Sequence, residues 1–414
     1  MSGLPASQPD MDFDPLSAEF ADNPYPAYAR LRSYGAPWYF AGYDIWLLSR
    51  YEDVAAAATH PACVRSPEAV MSRDEIAAQQ VRDNWHDMPF HSRFVQFSLL
   101  NADGAVHQSL RRIIFNEFRT PSLQRLHATA QAHIDRLLDA VIDNDQMEFI
   151  EDFAARVPGP VIGSFLGVPE DDCGPLRQWS EDIVQYFDID RSDARKALAE
   201  TTTAEFYDYL LRLSDERRRR PKDDLMSRLI ARYDASELSE DDYISTCMLI
   251  LMAGHGSTID ILGNGLAALL AHRCELARLR NAPELMTTAV QEMFRYDAPL
   301  PFFHRFAARD IALNGWSIPK GTRLGLLYGC ANRDEAAFPQ ADHFDAGRTP
   351  NRHIAFASGA HVCLGNHLAR MELDIVFATL LRRLKDIEPA DFAVRRRGLS
   401  VRGFETLPVA FKAA

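Results

Sequence analysis

The sequence predicts a mainly α-helical protein with small β-sheets, and three observations carry that reading. Apolar residues recur at helix spacing through long segments, as in Leu126, Ile134, Leu137, Leu138 and Val141. One segment, Ser239 to about Arg273, is apolar nearly all round through Met248 to Ala253, the pattern of a buried helix. Aromatic and β-branched residues gather in short pieces, such as Trp38, Phe40, Tyr43, Ile45 and Leu47, as small sheets require. The 414 residues are 47% hydrophobic and 25% charged, which fits a soluble globular chain with a large core. The net charge of −13 argues against general affinity for nucleic acid or anionic membranes. The longest apolar run, around Cys247 to Gly254, is short for a membrane span. Residues 1–14 are polar, with Pro5 and Pro9, and are expected to be a disordered tail. Residues 15–414 are expected to form a single catalytic domain in the cytoplasm, without repeats or low-complexity segments.

Taken in order, 24–34 reads as a helix with Tyr25, Tyr28 and Leu31 on one face and Gly35 as its stop. Strands follow within 36–50, joined near Ala41-Gly42, and then a helix over 51–59. Residues 66–100, broken by Pro67 and Pro89, read as a surface loop with a short helix, anchored by Trp85, Phe90, Phe94 and Phe97. A helix over 107–118 puts His107 and Arg111 on one face, where they can grip two oxygens of a carboxylate. Helical patterns continue through 122–167, 175–188 and 193–220. The run Arg217 to Arg220 reads as a solvated helix end complementing the macrodipole.

Ser239 with Glu240, Asp241 and Asp242 is a helix start. The centre of the helix it opens is Ala253-Gly254-His255-Gly256-Ser257-Thr258. Each mid-helix glycine costs about 1 kcal/mol. Here the glycines can kink the helix or let a flat ligand approach its backbone. Asp260 lies four residues beyond Gly256, on the same face. A helix over 284–296 carries Glu292 and Arg295 as a same-face pair. Pro299 and Pro301 fix an extended path through Leu300, Phe302 and Phe303. Short strands follow at 311–313, 316–318 and 322–328, with a turn at Asn314-Gly315. Residues 399–411 read as a hairpin with its tip near Glu405-Thr406.

The six cysteines are Cys63, Cys173, Cys247, Cys274, Cys330 and Cys363, and none forms a C-x-x-C pair. Cys363 differs from the others in its setting, Phe356-Ala357-Ser358-Gly359-Ala360-His361-Val362-Cys363-Leu364-Gly365, followed by a helical run. Gly359 and Gly365 permit tight backbone geometry. A cysteine just before a helix has unsatisfied N–H groups and the positive helix end nearby, which favour the thiolate. Such a thiolate is a nucleophile or a soft metal ligand. The alternative is a cysteine packed as a small hydrophobe.

This stretch resembles the haem-binding loop of the cytochrome P450 family, Phe-x-x-Gly-x-x-x-Cys-x-Gly, with Phe356, Gly359, Cys363 and Gly365 at the matching positions. The resemblance extends over about residues 24–411, because further motifs appear in family order. It implies a cytochrome P450-type fold and haem b, with Cys363 as the axial thiolate that favours O–O cleavage. It further implies that His107, Arg111, Arg305 and His361 hold the haem propionates, with Gly365 beside them. Glu292 and Arg295 match the family's structural network. The helix centre matches the family's Ala-Gly-x-Asp/Glu-Thr with two departures: Gly256 stands where the acid is usual, and Ser257 where Thr is. In the family the acid and Thr guide protons during oxygen activation. Ser257 and Asp260, with ordered water, are the expected substitute relay; a buried, paired Asp260 without that role is the alternative. Ala357 replaces the loop's usual second-position glycine.

The resemblance implies a monooxygenase that inserts one atom of O2 into an apolar or aromatic small molecule. Electrons would come from a ferredoxin and its reductase, docking on Arg111, Arg112, Arg119, Arg352 and Arg370. The expected substrate lining is Phe303 and Leu300 first, with Phe302, Trp85, Phe90, Phe94, Leu249 and Ala253. The departures at Gly256 and Ser257 keep two other readings open: peroxide-driven oxygenation, and oxidative C–C or C–O coupling. A non-catalytic haem sensor is the reading of a different class.

Overall fold

The computed structural model describes residues 2–115, 118 and 120–414. Arg119, one of the expected docking arginines, lies outside the described residues. Helices dominate and the sheets are small, as the sequence predicts. The chain forms two compact units: one of Met1–Ser72, Leu138–Phe153 and Asp260–Ala414, the other of Arg73–Leu137 and Ala154–Ile259.

The first unit holds the sheets. Its five-stranded sheet runs in the order Trp38–Phe40, Ile45–Leu48, Arg323–Leu327, Phe302–Ala307, Cys63–Val64. The sheet packs on Val54, Ala57 and Ala58 of the helix Tyr51–Thr59. Gly325 is required in the central strand, because a Cβ there would come 2.7 Å from Leu47 and 2.8 Å from Phe302. Ile311–Leu313 and Trp316–Ile318 pair through Asn314 (φ 45°) and Gly315 (φ 91°), both left-handed as a tight two-residue hairpin demands.

The segment expected to be a disordered tail makes contacts instead. Gly3 pairs with Ser317. The Gln8 side chain donates to the Tyr39 carbonyl and accepts from its N–H, both at 2.7 Å. Phe13 is buried against the rings of Phe20, Trp38 and Phe40; this aromatic anchor holds an otherwise polar stretch. The expected C-terminal hairpin is also different. Phe404–Thr406 pairs with Val394–Arg395, whereas Pro408–Ala413 lies between Leu384–Pro389 and Gln146–Glu148. Leu407 bonds to Glu148 and Phe149 at the crossing point, and Pro408 brings no N–H to a ladder with the preceding strand.

The second unit is helical. Residues 66–100, expected to be mostly loop, contain two helices, Arg73–Arg82 and Pro89–Phe97. Met88 at the start of the latter supplies no side-chain cap. Glu200, from the long helix Asp193–Arg219, accepts from the N–H groups of Phe90 and His91 instead, at 3.0 Å each. Arg217 is not the solvated residue the sequence suggests. It is 2% exposed, bonds Asp224 at 2.7 Å and donates to the Gly167 carbonyl.

The helix Glu240–Ala271 runs on from the second unit into the first. Ser239 and Asp242 exchange hydrogen bonds at its start, a capping box. By length and composition it could cross a membrane, but 72% of its most apolar window is buried inside the protein. It is one continuous α-helix. Three of its four glycines are close-packing sites: a Cβ on Gly254 would come 2.8 Å from Ile162, on Gly263 2.9 Å from Ile150, and on Gly265 2.8 Å from Met293.

Candidate active site

In the second unit, the centre of this helix has one open strip. Leu251, Met252, His255, Thr258 and Ile259 are buried, yet Ala253 is exposed and Gly254, Gly256 and Ser257 are half-buried. Ala253, Gly256 and Ser257 stand at i, i+3 and i+4, one face of the helix. A Cβ on Gly256 would meet nothing within 4 Å. The Ser257 hydroxyl donates to the Ala253 carbonyl at 2.7 Å, so the helix itself occupies its proton. His255 faces the other way: its Nδ1 is 3.2 Å from the Leu251 carbonyl oxygen and its Nε2 lies over Gly159. Burial pushes its pKa down to about 4, so the imidazole is neutral.

His107 and Arg111 share the helix Gly104–Phe115, with His107 3% exposed and Arg111 half-buried. Trp85 sits in an aromatic cluster with His91, Tyr186 and Phe187, and the Arg191 guanidinium lies 5.1 Å from its ring centroid. Phe90 is 37% exposed and Leu249 half-buried. Phe94 is fully enclosed, edge-on to His91, and does not offer the surface expected of a lining residue.

In the first unit, Cys363 is exposed, two residues ahead of Gly365, which caps the helix Asn366–Arg383. Its N–H donates to the Phe356 carbonyl at 2.9 Å, and its own carbonyl accepts from Asn366 at 2.6 Å. The loop doubles back through Ala357 (φ 58°) and Gly359 (φ 73°). Only glycine fits at 359, since a Cβ would come 2.9 Å from the Ala58 carbonyl oxygen. Ala357 holds a left-handed conformation costing about 1–2 kcal/mol for a residue with a Cβ. His361 ends a short 3-10 turn, Gly359–His361, and is half-buried. Beneath the loop, Arg370 lies over the Phe356 ring, 4.6 Å from its centroid, and bonds Gln291 and Asn366. Burial lowers the Arg370 pKa, and the Cys363 and Asp374 charges partly offset that. Arg370 is therefore engaged within the fold and is no open docking residue. Glu292 and Arg295 are completely buried and joined by two 2.7 Å bonds. The family-like network is closed by Arg348, Asn351 and the Asp345 N–H on Glu292.

Arg305 is 2% exposed on the strand Phe302–Ala307. Its Nη1 donates to the His304 carbonyl at 2.9 Å, and its Nε has no hydrogen-bond partner among the described residues. Arg65, 5% exposed, donates to the same carbonyl at 2.8 Å and lies over the Phe303 ring. Sequence reasoning missed Arg65. The strand Cys63–Val64, which pairs with Phe306 and Ala307, brings it beside Arg305, and two residues are too short to show a period. Phe303 and Leu300 are half-buried, but Phe302 is 4% exposed, packs on Tyr43 and Gly325, and belongs to the core rather than a lining. Asp260 is 1% exposed, 3.9 Å from Arg396 and directly against Gly403. The contacts described for Ser257 and Asp260 thus run to different partners.

A buried guanidinium with an unused N–H suits a buried carboxylate, and an exposed thiol at a helix start suits a soft metal. The donor set fits haem b, as a haem-thiolate protein requires. The comparisons agree. The cytochrome P450 family profile matches residues 277–391. A polyketide biosynthesis cytochrome P450, PksS, of Bacillus subtilis (strain 168) is 33% identical over 408 residues, covering 96% of this chain and 98% of that one. A biotin biosynthesis cytochrome P450 of the same organism is 35% identical over 403 residues, covering 96% and 98%. The crystal structure of P450BioI in complex with a hexadec-9Z-enoic acid-ligated acyl carrier protein superposes with a TM-score of 0.88 at 32% identity, covering 95% of this chain and 100% of that one. The chain belongs to the cytochrome P450 family. It is an oxidoreductase of the monooxygenase kind, and its cofactor is haem b.

Proposed function

We propose that the chain is a cytoplasmic monooxygenase that inserts one atom of O2 into an apolar or aromatic small molecule, with electrons from a ferredoxin and its reductase. The observation that carries this is Cys363, exposed at a helix start on a loop tied back by its own N–H. Cys363 would supply the thiolate that holds the haem iron. Arg305, with its unused Nε, would hold a propionate, and His107, Arg111, His361 and Gly365 are the other residues assigned to the haem. Thiolate-bound haem supplies the activation of dioxygen for insertion into a C–H bond. The chain's own part is to hold the substrate and to meter protons. Phe303, Leu300, Ala253, Leu249, Trp85 and Phe90 are the proposed apolar contacts of the substrate. The acyl chain named in the P450BioI structure supports an apolar substrate class. Ser257 belongs to the open strip; to take part in proton delivery its hydroxyl must exchange its bond to the Ala253 carbonyl for one to water. Asp260 is the second proposed member of the relay, although its described contacts are with Gly403 and Arg396. The test is the absorption spectrum of the reduced carbon monoxide complex. Wild-type should show the thiolate-type band, Cys363→His should bind haem without it, and an unchanged band would overturn the assignment.

Open space at Gly256, where the family carries an acid, favours a second reading: peroxide-driven oxygenation or oxidative coupling. Turnover with ferredoxin and NADH, against turnover with peroxide alone, separates the first from monooxygenation. Product mass separates oxygen insertion from the loss of two hydrogens.

A further inference from the structure

Asn264 lies two helical turns beyond Gly256, 1% exposed and outside every motif named above. Its carboxamide is fully engaged. Nδ2 donates to the Asp297 carbonyl at 3.0 Å and the Arg402 carbonyl at 2.9 Å, and Oδ1 accepts from Arg395 at 2.8 Å. Each partner is itself fixed. Asp297 accepts from Tyr25 at 2.6 Å and from Arg402 at 2.5 Å, and pairs with Arg395 at 3.0 Å. The Arg402 N–H donates to the Pro299 carbonyl at 2.8 Å. One turn earlier, Asp260 sits against Gly403, where any Cβ would collide with its carboxylate, while the Arg396 N–H donates to the Gly403 carbonyl. Two successive polar residues of one helix therefore face the turn formed by residues 395–403, and through Asn264 that turn is locked to Asp297–Pro299.

The residue after Pro299 is Leu300. Pro299 and Pro301 leave little freedom in this stretch, so the carbonyls of Asp297 and Pro299 determine where the Leu300 side chain stands. We propose that Asn264 is a positioning residue for substrate selection: it sets the placement of Leu300 by holding Asp297–Pro299 and the 395–403 turn in one arrangement. The inference rests on the reading that Leu300 lines the substrate site. Removing the carboxamide leaves two buried carbonyls and one arginine N–H to find other partners, which shifts the stretch they belong to. Asn264 touches neither the haem site nor substrate in this account. Its effect is on which ligands fit.

The experiment uses the haem-loaded full chain and two probes that bind the haem iron through nitrogen, imidazole and the bulkier 4-phenylimidazole, read as shifts of the haem band. The ratio of the two dissociation constants reports room beside the site, independently of overall stability. Leu300→Ala should change the ratio, and Asn264→Ala should change it by at least about threefold, with the double variant falling short of the product of the two. Asn264→Ser, which keeps one donor and one acceptor, should restore part of the wild-type ratio. A changed ratio in Leu300→Ala with none in Asn264→Ala and Asn264→Ser would overturn the positioning role. No change in Leu300→Ala would remove the lining role and the inference with it. Loss of haem from both Asn264 variants would mark Asn264 as a folding residue and overturn the proposal.

Discussion

Arg295 donates two parallel hydrogen bonds of 2.7 Å to Glu292, and neither side chain has any exposed surface. Arg295 also donates to the carbonyls of Asn332, Ala341 and His343, so its N–H groups on both arms are used. Glu292→Ala would strand this charge and that of Arg348. The expected loss is about 3–5 kcal/mol of stability, seen as a lower urea midpoint of the haem-loaded chain. Arg348→Lys, on the less enclosed side, should lose much less. Equal losses from the two would contradict this account.

The glycines of the long helix should respond in opposite directions. Gly256→Ala meets no atom within 4 Å and should stabilise by up to about 1 kcal/mol. Gly254→Ala drives a methyl to 2.8 Å from Ile162 and should destabilise by about 1–3 kcal/mol. Gly256→Glu restores the acid usual in the family. If O2 and reductant drive the reaction, it should raise the fraction of reducing equivalents recovered in product. Unfolding curves and a coupling assay read the two effects separately.

Ala357 and Gly359 both hold left-handed backbone in the Cys363 loop. Ala357→Gly removes a strain of about 1–2 kcal/mol and adds back about 0.5–1 kcal/mol of chain entropy. The expected net gain is a modest rise in thermal midpoint. Gly359→Ala combines positive φ with a contact 2.9 Å from Ala58 and should lower the midpoint and haem retention together.

Acid should act first through buried histidines. Burial holds His91 and His353 down at about 3 and His255 at about 4, with neighbouring arginines adding to the effect. The unfolded chain binds these protons near pH 6.5 and the folded chain does not. Stability is therefore full above about pH 6.5 and falls toward pH 4, by about 1.4 kcal/mol per pH unit for each histidine. Asp297 adds a lower window. Although burial opposes ionisation, Arg402 and Arg395 hold its pKa down at about 2. Its contribution is present above about pH 4 and is lost as pH falls through about 2. Urea midpoints between pH 7 and 4 should fall less steeply in a folded His353→Gln variant than in wild-type.

Arg112 and Arg352 are exposed. If an acidic ferredoxin docks through such charges, Arg112→Glu and Arg352→Glu should each slow reduction of the haem and flatten its dependence on salt, with the unfolding midpoint unchanged. Stopped-flow reduction at several ionic strengths reads this, and unaltered rates would remove both residues from the docking surface.

Legibility in the sequence followed the reach of each signal. Helices such as Tyr51–Thr59 and Met286–Tyr296 were visible within a residue or two of their ends, because period and caps are local. Cys363 and the Glu292/Arg295 pair stood out because their motifs are short and ordered along the chain. Arg65 was hidden because the strand it follows, Cys63–Val64, spans only two residues. Phe303 was ranked ahead of Phe302, but that Phe302 is core and no lining residue was not legible, because pairing with Arg323–Leu327 decides which neighbour faces the core. Arg217 read as solvent-facing because its partners, Asp224 and the Gly167 carbonyl, belong to other segments. The left-handed turn at Ala357 was signalled only by the glycine usual at that place in the resembled loop, since alanine itself does not announce it.

The helix Pro89–Phe97 has no cap of its own and borrows the Glu200 carboxylate. During synthesis residue 200 emerges long after residue 97. A nine-residue helix without a cap is marginal alone. The segment is therefore a late-ordering part of the chain, waiting on a distant contact with a high loop-closure cost. In Glu200→Gln its amides should exchange with solvent sooner, while those of Tyr51–Thr59 keep their protection.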